Sequence, residues 1–474
     1  MSLEPPPDQD IVIIGATGDL ARRKLLPALY NLFTPSQLLP KRGNIVGYAR
    51  RRIDTAEFRA MAKEAVREFS RTELDEKAWA AFEQRLTFVC AEPDGYPGLL
   101  PELQQPERLV YLATPPSTFR SVAIELGECG LAKGTKLVVE KPFGRDLASG
   151  RELDETLHDV FEESQIFRID HYLGKETVQD ILIFRFGNAL FERVWNRDAI
   201  DHVQFTVAES IGIEGRGAFY EETGALRDII QNHVFQVLAL LTMEPPTSFD
   251  AEAIREEKHK LFQAMQPVDP SRVVRGQYTA GKIAGNSVPG YREEPGVSQD
   301  STAETFAAME LCIDNWRWAG VPFYLRTGKR LPERATEINI WFRDVPIHLF
   351  EGTGVDALPS NHLTLSMQPN EEITFTFLAK VPGPEIRVRP VEMSFSYGGT
   401  FTQEPAEAYE RLLHDAMDGD HTLFARGDSV ERAWQVVQPV LDAMPPVHLY
   451  PAGTWGPSEA DTLIAPDSWH IHSL

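Results

Sequence analysis

The chain has 474 residues, of which 42% are hydrophobic and 25% are charged. This composition is typical of a globular protein, and the length predicts about two or three domains. The net charge of −23 argues against nucleic acid or an anionic membrane as a partner, because both are bound through compensating cations. No apolar run reaches the length of about twenty residues that spans a bilayer.

The three cysteines, Cys90, Cys129 and Cys312, include no C-x-x-C pair. So few cysteines, in an odd number, argue against a disulfide framework or a cysteine-rich zinc site. The N-terminus has neither a basic start nor an apolar stretch, so we expect no signal peptide and a loose tail over the first nine residues. A cytoplasmic protein is the resulting prediction.

The first 145 residues alternate short apolar runs with helical patterns. Asp54 and Glu57 resemble a capping box, and helices are predicted after it and over 117–130. Uninterrupted apolar strands separated by helices are typical of a parallel sheet covered on both faces. The strand candidates are Ile11–Ile14, Asn44–Ala49, Thr87–Ala91, Arg108–Ala113 and Lys136–Glu140.

The pattern changes after residue 168. Helical segments are predicted over 172–187, 222–243 and 404–446, and a surface loop over 285–300. The stretches 337–344, 372–379 and 387–397 alternate partly with period 2, which predicts an antiparallel sheet with one covered face.

The segment from Ile11 to Ala21 is predicted to form a strand, a turn and a helix. Gly15 permits the tight turn, Gly18 lets the backbone approach a pyrophosphate, and Ala21 keeps the helix close to the sheet. The helix N-terminus supplies N–H groups and a partial positive charge. The spacing is G-x-x-G-x-x-A, so a structural turn without a ligand is the alternative. We predict a Rossmann-like dinucleotide-binding domain over 1–169 and a substrate-binding and oligomerisation α+β domain over 170–474.

The second predicted strand, Asn44–Ala49, is followed directly by Arg50, Arg51 and Arg52. A site for NAD usually has Asp or Glu there for the ribose 2′-hydroxyl, whereas arginine binds a phosphate. The sequence therefore predicts NADP, with NAD as a weaker alternative. Solvated arginines without this role are the other interpretation.

The segment Arg168–Glu176 combines several charged and polar residues. Asp170 is predicted as an N-cap, so the helix would begin at His171 and place Lys175 on the same face. With the Tyr172 hydroxyl, these donors are suited to a dianionic phosphate at a helix N-terminus. A structural ion network is the alternative.

Two further groups of residues are less specific. His233 lies in an apolar helical segment, where a lone histidine is more often a hydrogen-bonded core residue, and Asp228 lies about 140° around the helix from it. Spacing alone therefore does not pair them. The basic segment Arg326–Arg334 is interpreted either as part of a site or as a solvated loop.

Several motifs then occur in the order of one known family, over residues 10–470, and the chain resembles glucose-6-phosphate dehydrogenases. Arg168–Glu176 matches the active-site signature of that family. The turn at Ala16 and Thr17 departs slightly from relatives, and the segment between Phe88 and Leu109 is short. The matching segments are Gly15–Ala21, Glu140–Gly144, Arg168–Glu176, Arg227–His233 and Met367–Glu371.

The resemblance implies oxidation of D-glucose 6-phosphate at C1 to 6-phospho-D-glucono-1,5-lactone, with hydride transfer to NADP, in the oxidative pentose phosphate pathway. It implies that His233 is the base, oriented by Asp170, and that no metal is needed. It also implies a homodimer or homotetramer. The alternatives are a dehydrogenase of another sugar or sugar phosphate, and a non-catalytic NADP sensor that would lack the base or its partner.

The resemblance further implies the binding residues. The sugar phosphate would be held by His171, Tyr172, Lys175 and Arg334, and the sugar hydroxyls by Glu209, Asp228, Lys329 and Gln368, with Lys141 between cofactor and substrate. The cofactor would be bound by Gly15, Thr17, Gly18, Asp19, Leu20, Lys24, Arg50 and Lys141.

Overall fold

The computed structural model describes residues 4–92, 95–350, 355, 358–400 and 407–472. The chain divides into two compact units. The first comprises Met1–Glu176, Pro246–His259 and Pro405–Glu431, and the second comprises Thr177–Pro245, Lys260–Glu404 and Arg432–Leu474. Within the described ranges, no helix is both long and apolar enough to cross a membrane. Residues 404–406 of the predicted helical tail, and 1–3 of the predicted N-terminal tail, lie outside the described residues.

A seven-stranded sheet forms the centre of the first unit, in the order β17-β6-β5-β4-β1-β2-β3. Strands β1 to β6 are parallel, and β17 pairs antiparallel with β6. The predicted parallel sheet is thus confirmed, with one short antiparallel edge strand that the sequence did not indicate. The strands are β1 (Asp10–Ile14), β2 (Ile45–Ala49), β3 (Leu86–Cys90), β4 (Arg108–Leu112), β5 (Thr135–Glu140), β6 (Ile166–Ile169) and β17 (Phe424–Ala425).

Most helices of this unit lie between its parallel strands in the sequence, and one precedes β17. Asp54 caps α2 through its carboxylate, which accepts a hydrogen bond of 2.8 Å from the Glu57 N–H, and the Glu57 carboxylate accepts one of 3.1 Å from the Asp54 N–H. The predicted capping box is therefore confirmed. The helices are α1 (Leu26–Phe33), α2 (Thr55–Phe69), α3 (Glu76–Phe82), α4 (Phe119–Glu128), α5 (Leu147–His158) and α12 (Ala408–Asp418).

A nine-stranded sheet forms the centre of the second unit, in the order β16-β15-β14-β13-β7-β12-β11-β8-β18. Its pairs are antiparallel except β7 with β12 and β8 with β18, so the predicted mainly antiparallel sheet is confirmed. The strands are β7 (Ile200–Ala208), β8 (Val273–Thr279), β11 (Phe306–Leu311), β12 (Phe323–Gly328), β13 (Ala335–Phe342), β14 (His362–Gln368), β15 (Glu372–Lys380), β16 (Val388–Ser396) and β18 (Val447–Pro451).

Part of the segment predicted as a loop over 285–300 is a strand. β9 (Gly281–Ile283) and β10 (Asn286–Val288) form a two-stranded antiparallel hairpin, because Ala284 and Gly285 adopt the positive φ angles that a tight turn requires. The remaining helices are α6 (Glu176–Phe186), α7 (Ala189–Glu192), α8 (Gly217–Ala225), α9 (Phe235–Thr242), α10 (Ala251–Ala264), α11 (Tyr397–Thr400), α13 (Gly427–Ala443) and α14 (Glu459–Ile464), and the π-helical segments are Ala21–Leu25 and Leu226–Val234.

Candidate active site

The turn after β1 is built around Gly15, which has a φ of +92°. A Cβ atom there would lie 2.4 Å from the carbonyl oxygen of Ala113, so any side chain would collide with the backbone. The N–H groups of Gly15 and Ala16 both donate to the carbonyl of Tyr48 in β2, at 2.8 and 3.2 Å. Thr17 and Gly18 complete the turn, and the helix begins at Asp19. A bare backbone turn at a helix N-terminus fits the pyrophosphate of a dinucleotide.

Other predicted cofactor residues lie around this turn and the end of β2. Asp19 is exposed and pairs with Arg23 at 2.9 Å, while the Lys24 ammonium contacts Glu407 at 3.2 Å. Leu20, on the first turn of the helix, is half-buried.

Arg50 directly follows β2 and is exposed. Arg52, by contrast, pairs with Glu92 at 3.1 Å. Within the described part of the chain, Arg50 and Arg51 form no ion pair. Their charges are thus available to an anion at the end of β2, which is where the ribose of a dinucleotide binds in this type of sheet.

His171, Tyr172 and Lys175 come together in one turn after β6. The Lys175 ammonium lies 3.9 Å from the centroid of the Tyr172 ring, and the rings of His171 and Tyr172 meet edge to face at 5.2 Å. The structure therefore confirms that these three side chains are neighbours.

The predicted start of the helix at His171 is wrong, because α6 begins at Glu176. Residues 171–175 form a separate turn instead. The Asp170 carboxylate accepts a hydrogen bond of 3.0 Å from the Tyr172 N–H, and the Asp170 carbonyl accepts one of 3.0 Å from the Leu173 N–H. Asp170 thus fixes the turn rather than capping a helix.

Glu140 ends β5 and immediately precedes Lys141, which is half-buried. The Glu140 carboxylate accepts hydrogen bonds from the hydroxyls of Tyr111, at 2.6 Å, and Tyr409, at 3.2 Å. Burial raises the pKa of Glu140, and the two hydroxyls oppose that rise.

The Tyr409 ring also lies parallel to that of His171, at 6.3 Å. It therefore connects the Glu140 carboxylate with the turn after β6. Sequence reasoning missed Tyr111 and Tyr409, because both are joined to the motif residues only through the fold.

In the second unit, the Lys329 ammonium is in direct contact with the Glu209 carboxylate. The pairing of β7 with β12 explains this contact. The two strands are parallel and Ala208 pairs with Gly328, so the residues that follow them leave the same edge of the sheet. Lys329 is 2% exposed at its side chain and Glu209 is 29% exposed, so this ion pair is largely shielded from water.

Asp228 belongs to the same group of charges. Burial, followed by the carboxylates of Asp228 and Glu209, raises the pKa of Tyr220 well above its usual value. The Lys329 ammonium lies 5.3 Å from the Tyr220 ring. Three of the predicted sugar-contacting residues therefore interact electrostatically with Tyr220, which sequence reasoning missed. Two further residues predicted to bind the substrate belong to other strands of the second unit. Gln368 ends β14 and is half-buried, and Arg334 is exposed just before β13.

His233 lies in the π-helical segment Leu226–Val234 and is 1% exposed. This segment begins where Gly224, at a φ of +64°, interrupts the helical backbone. A side chain at Gly224 would meet the Glu304 carboxylate at 2.2 Å, and that carboxylate also accepts a hydrogen bond from the Leu226 N–H. His233 belongs to the second unit, whereas Asp170 belongs to the first.

The fold and these groups define a dinucleotide-binding oxidoreductase, and comparison with known proteins gives its family. The chain matches the models described as "Glucose-6-phosphate dehydrogenase, NAD binding domain" over residues 12–180 and "Glucose-6-phosphate dehydrogenase, C-terminal domain" over residues 182–471. The chain therefore belongs to the glucose-6-phosphate dehydrogenase family.

Individual relatives agree with this assignment over almost their whole length. A glucose-6-phosphate 1-dehydrogenase of Chlamydia pneumoniae is 46% identical, with 97% of this chain and 95% of the relative covered. One of Rhizobium meliloti is 45% identical, with 97% and 96% covered. A solved structure of a glucose-6-phosphate dehydrogenase in complex with glucose 6-phosphate superposes with a TM-score of 0.89, at 36% identity, and covers 99% of this chain and 100% of its own.

Proposed function

We propose that the chain oxidises D-glucose 6-phosphate at C1 to 6-phospho-D-glucono-1,5-lactone and passes the hydride to NADP, as the first step of the oxidative pentose phosphate pathway. The observation that carries this proposal is the turn after β6, in which His171, Tyr172 and Lys175 gather within a chain of this family. An imidazole, a hydroxyl and an ammonium supply the donors that a sugar phosphate requires.

His233 is the proposed base. Loss of hydride from C1 would leave a cationic carbon unless the C1 hydroxyl also loses its proton, and a neutral imidazole is suited to accept that proton near pH 7. Asp170 orients the ring and stabilises the imidazolium that forms. His233 belongs to the second unit and Asp170 to the first.

The substrate is proposed to be held at both ends. His171, Tyr172, Lys175 and Arg334 bind the phosphate, and Glu209, Asp228, Lys329 and Gln368 bind the sugar hydroxyls. The contact between Lys329 and Glu209 supports the second group, because a paired ammonium and carboxylate offer donors and acceptors together to a diol. Holding the sugar in this way fixes C1 for reaction.

The proposed cofactor is NADP, with NAD as a weaker alternative. The nicotinamide would accept the hydride at C4. The turn Gly15–Leu20 would hold the pyrophosphate at its backbone N–H groups, with Asp19 and Lys24 nearby and Lys141 between cofactor and substrate. Arg50 supports the choice of NADP, because it is exposed at the end of β2 and a guanidinium binds the 2′-phosphate.

A homodimer or homotetramer is proposed as the assembly. β16 is an outer strand of the nine-stranded sheet, and Met393 within it is 64% exposed. An exposed outer strand with an apolar residue favours pairing with another chain.

The cytoplasm is the proposed compartment, since Cys90, Cys129 and Cys312 are all unpaired and disulfides are rare there.

The proposal is tested with purified protein, glucose 6-phosphate and either NADP or NAD, with nicotinamide reduction followed by absorbance. Free glucose, which lacks the phosphate, and other sugar phosphates, which differ in the sugar, serve as control substrates. We expect rapid reduction with glucose 6-phosphate and NADP and much slower reduction with free glucose. A flat trace with glucose 6-phosphate under both cofactors would defeat the proposal.

A further inference from the structure

A buried ion pair in the second unit joins Arg275 in β8 to Glu304, just before β11, and the proposed reaction does not use it. The Glu304 side chain is 4% exposed and that of Arg275 is 6% exposed. Replacing a buried ion pair by apolar residues often leaves stability unchanged or raises it, so such a pair is weak evidence for a role in stability. The contacts of the two carboxylate oxygens indicate another role.

Arg275 binds one oxygen of this carboxylate. Its Nε and Nη2 atoms donate to Glu304 Oε2 at 3.2 and 2.8 Å. The same guanidinium donates to the carbonyls of Thr302, at 2.9 Å, and of Pro445, at 2.7 Å. Because the guanidinium is planar, these contacts together fix its orientation. Arg275 therefore holds Glu304 Oε2 in one place.

The other carboxylate oxygen lies at the start of the π-helical segment Leu226–Val234. Glu304 Oε1 accepts a hydrogen bond of 3.3 Å from the Leu226 N–H, and the Glu304 carbonyl accepts one of 2.9 Å from the Ala225 N–H. The first N–H groups of a helix have no acceptor within the helix, and a negative charge beside them is favourable. Glu304 thus supplies acceptors to two successive N–H groups where the segment begins.

Gly224 allows the carboxylate to come this close to the backbone. Its φ of +64° and ψ of 176° lie in a region that is essentially restricted to glycine. A Cβ atom at Gly224 would lie 2.2 Å from Glu304 Oε1, so no side chain fits beside this oxygen. The bend of the backbone at Gly224 and the position of the Glu304 carboxylate are therefore complementary.

The residue that follows Glu304 contacts another part of the proposed sugar site. The Thr305 carbonyl accepts a hydrogen bond of 2.9 Å from the Lys329 N–H. Asp228 and His233 both lie on the segment that begins beside Glu304. Two adjacent residues consequently connect the segment that carries the proposed base with the backbone of the proposed sugar-binding lysine.

We propose that Glu304 is a positioning residue, and that Arg275 holds its carboxylate where it determines the placement of the segment carrying Asp228 and His233. The proposal rests on the function proposed above for these two residues. Glu304 acts through the backbone at the start of the segment and contacts neither substrate nor cofactor in this scheme. A misplacement of about 1 Å in the reacting groups lowers turnover by up to about 100-fold.

The test compares two double variants, Arg275→Met with Glu304→Gln and Arg275→Met with Glu304→Leu. Both remove the two buried charges together, so neither leaves one charge without its partner, and both should fold. The two replacements at position 304 are similar in size. Only glutamine has an acceptor oxygen, which can bind the Leu226 N–H once Arg275 no longer competes for it.

We expect the double variant with Glu304→Leu to lower kcat about tenfold and to raise the KM for glucose 6-phosphate about threefold. The base and a proposed sugar-binding carboxylate lie on the displaced segment, so both constants should change. The KM for NADP should stay the same, because the proposed cofactor residues lie in the first unit. The double variant with Glu304→Gln should stay within about threefold of the wild type in every constant.

The matched control is Arg272→Met with Glu310→Leu, which removes an ion pair at the other end of β11. Arg272 Nε donates to the Glu310 carboxylate at 2.8 Å, and Glu310 lies six residues beyond Glu304, about 20 Å along an extended chain. The control should match the kinetic constants of the wild type. A loss of folded protein alone would lower kcat in any variant and leave both KM values unchanged.

Three kinetic outcomes would overturn the proposal. The first is equal constants in the two double variants, because only the acceptor at position 304 differs between them. The second is a lower kcat with unchanged KM for glucose 6-phosphate in the variant with Glu304→Leu. The third is failure of either double variant to fold, because the ion pair would then serve the stability of the whole unit.

Hydrogen exchange of the protein without substrate distinguishes this proposal from the proposed function. We expect the amides of residues 225–234 to exchange about tenfold faster with Glu304→Leu than with Glu304→Gln in the double variants. This difference should appear whichever substrate the enzyme oxidises, so a flat trace with glucose 6-phosphate would not remove it. Equal exchange in the two double variants would overturn the positioning role even if glucose 6-phosphate is oxidised rapidly.

Discussion

The Lys175 ammonium lies 3.9 Å from the centroid of the Tyr172 ring, and the Lys175 N–H donates to the Tyr172 carbonyl at 3.1 Å. Backbone and side chain therefore hold the lysine over the ring. The ring face stabilises the ammonium, and an ammonium, which carries three donors and no acceptor, is suited to an anion.

Replacing Lys175 by Ala should raise the KM for glucose 6-phosphate about 10- to 100-fold, because a charge-assisted hydrogen bond contributes about 1.5–3 kcal/mol. The KM for NADP should stay unchanged. Initial-rate kinetics with each substrate varied in turn measure both constants, and Lys77→Ala, an exposed position in α3, is the control. An unchanged KM for glucose 6-phosphate would remove Lys175 from the phosphate site.

Replacing His233 by Asn should lower kcat about 10²- to 10⁴-fold, which is the usual contribution of a general base. The dissociation constant for glucose 6-phosphate should change little, and titration calorimetry measures it directly. In the double variant with Asp170→Asn, the two losses should not add, because residues that act as a unit are strongly non-additive. Fully additive losses would contradict a shared role, and a loss of affinity alone would make His233 a binding residue.

Replacing Arg50 by Glu should lower kcat/KM for NADP by about 10²- to 10⁴-fold, because two charge-assisted hydrogen bonds to the 2′-phosphate are lost. The value for NAD should change much less. The comparison requires kcat/KM for both cofactors, with Arg42→Glu as the control. Arg42 is exposed and precedes the opposite end of β2. Equal losses with NADP and NAD would show that Arg50 does not recognise the phosphate.

The pH dependence of stability should depend on His362 in the second unit. Burial, together with His470 and His472, lowers the pKa of His362 to about 4. The unfolded chain therefore binds a proton near pH 6.5 that the folded protein does not, so stability decreases as the pH falls below that value. At pH 5 this group alone should cost about 2 kcal/mol of the free energy of unfolding.

We expect His362→Gln to lose correspondingly less stability between pH 7.5 and pH 5 than the wild type does, as measured by urea unfolding. The difference between the two proteins at pH 7.5, where His362 is neutral in both states, serves as the internal reference. Identical losses on acidification would contradict a buried neutral His362.

Much of the sheet in the first unit could be predicted because its strands are buried on both faces. Ile11, Val12, Ile13 and Ile14 are all at most 2% exposed, and a continuous apolar run before a glycine turn indicates such a strand directly. The start of α6 could not be predicted in the same way. Aspartate is equally suited to capping a helix and to fixing a tight turn, and Asp170 does the second.

The groups that support the site could not be predicted, because they lie far apart in sequence. Tyr409 binds Glu140 across 269 residues. No local period or spacing connects such positions. The family resemblance supplied roles for residues inside conserved motifs, and the supporting groups lie outside them.

The parallel pairing of β7 and β12 has a consequence for how sugar specificity can change. Both strands deliver their following residues, Glu209 and Lys329, to one edge, whereas antiparallel neighbours would carry them to opposite edges. If Glu209 and Lys329 bind the sugar hydroxyls as proposed, substitutions at these two positions should alter which hydroxyl pattern is accepted while the backbone hydrogen bonds of the sheet are retained. Inserting a single residue into either strand would instead separate the two charges and turn one of them to the other face.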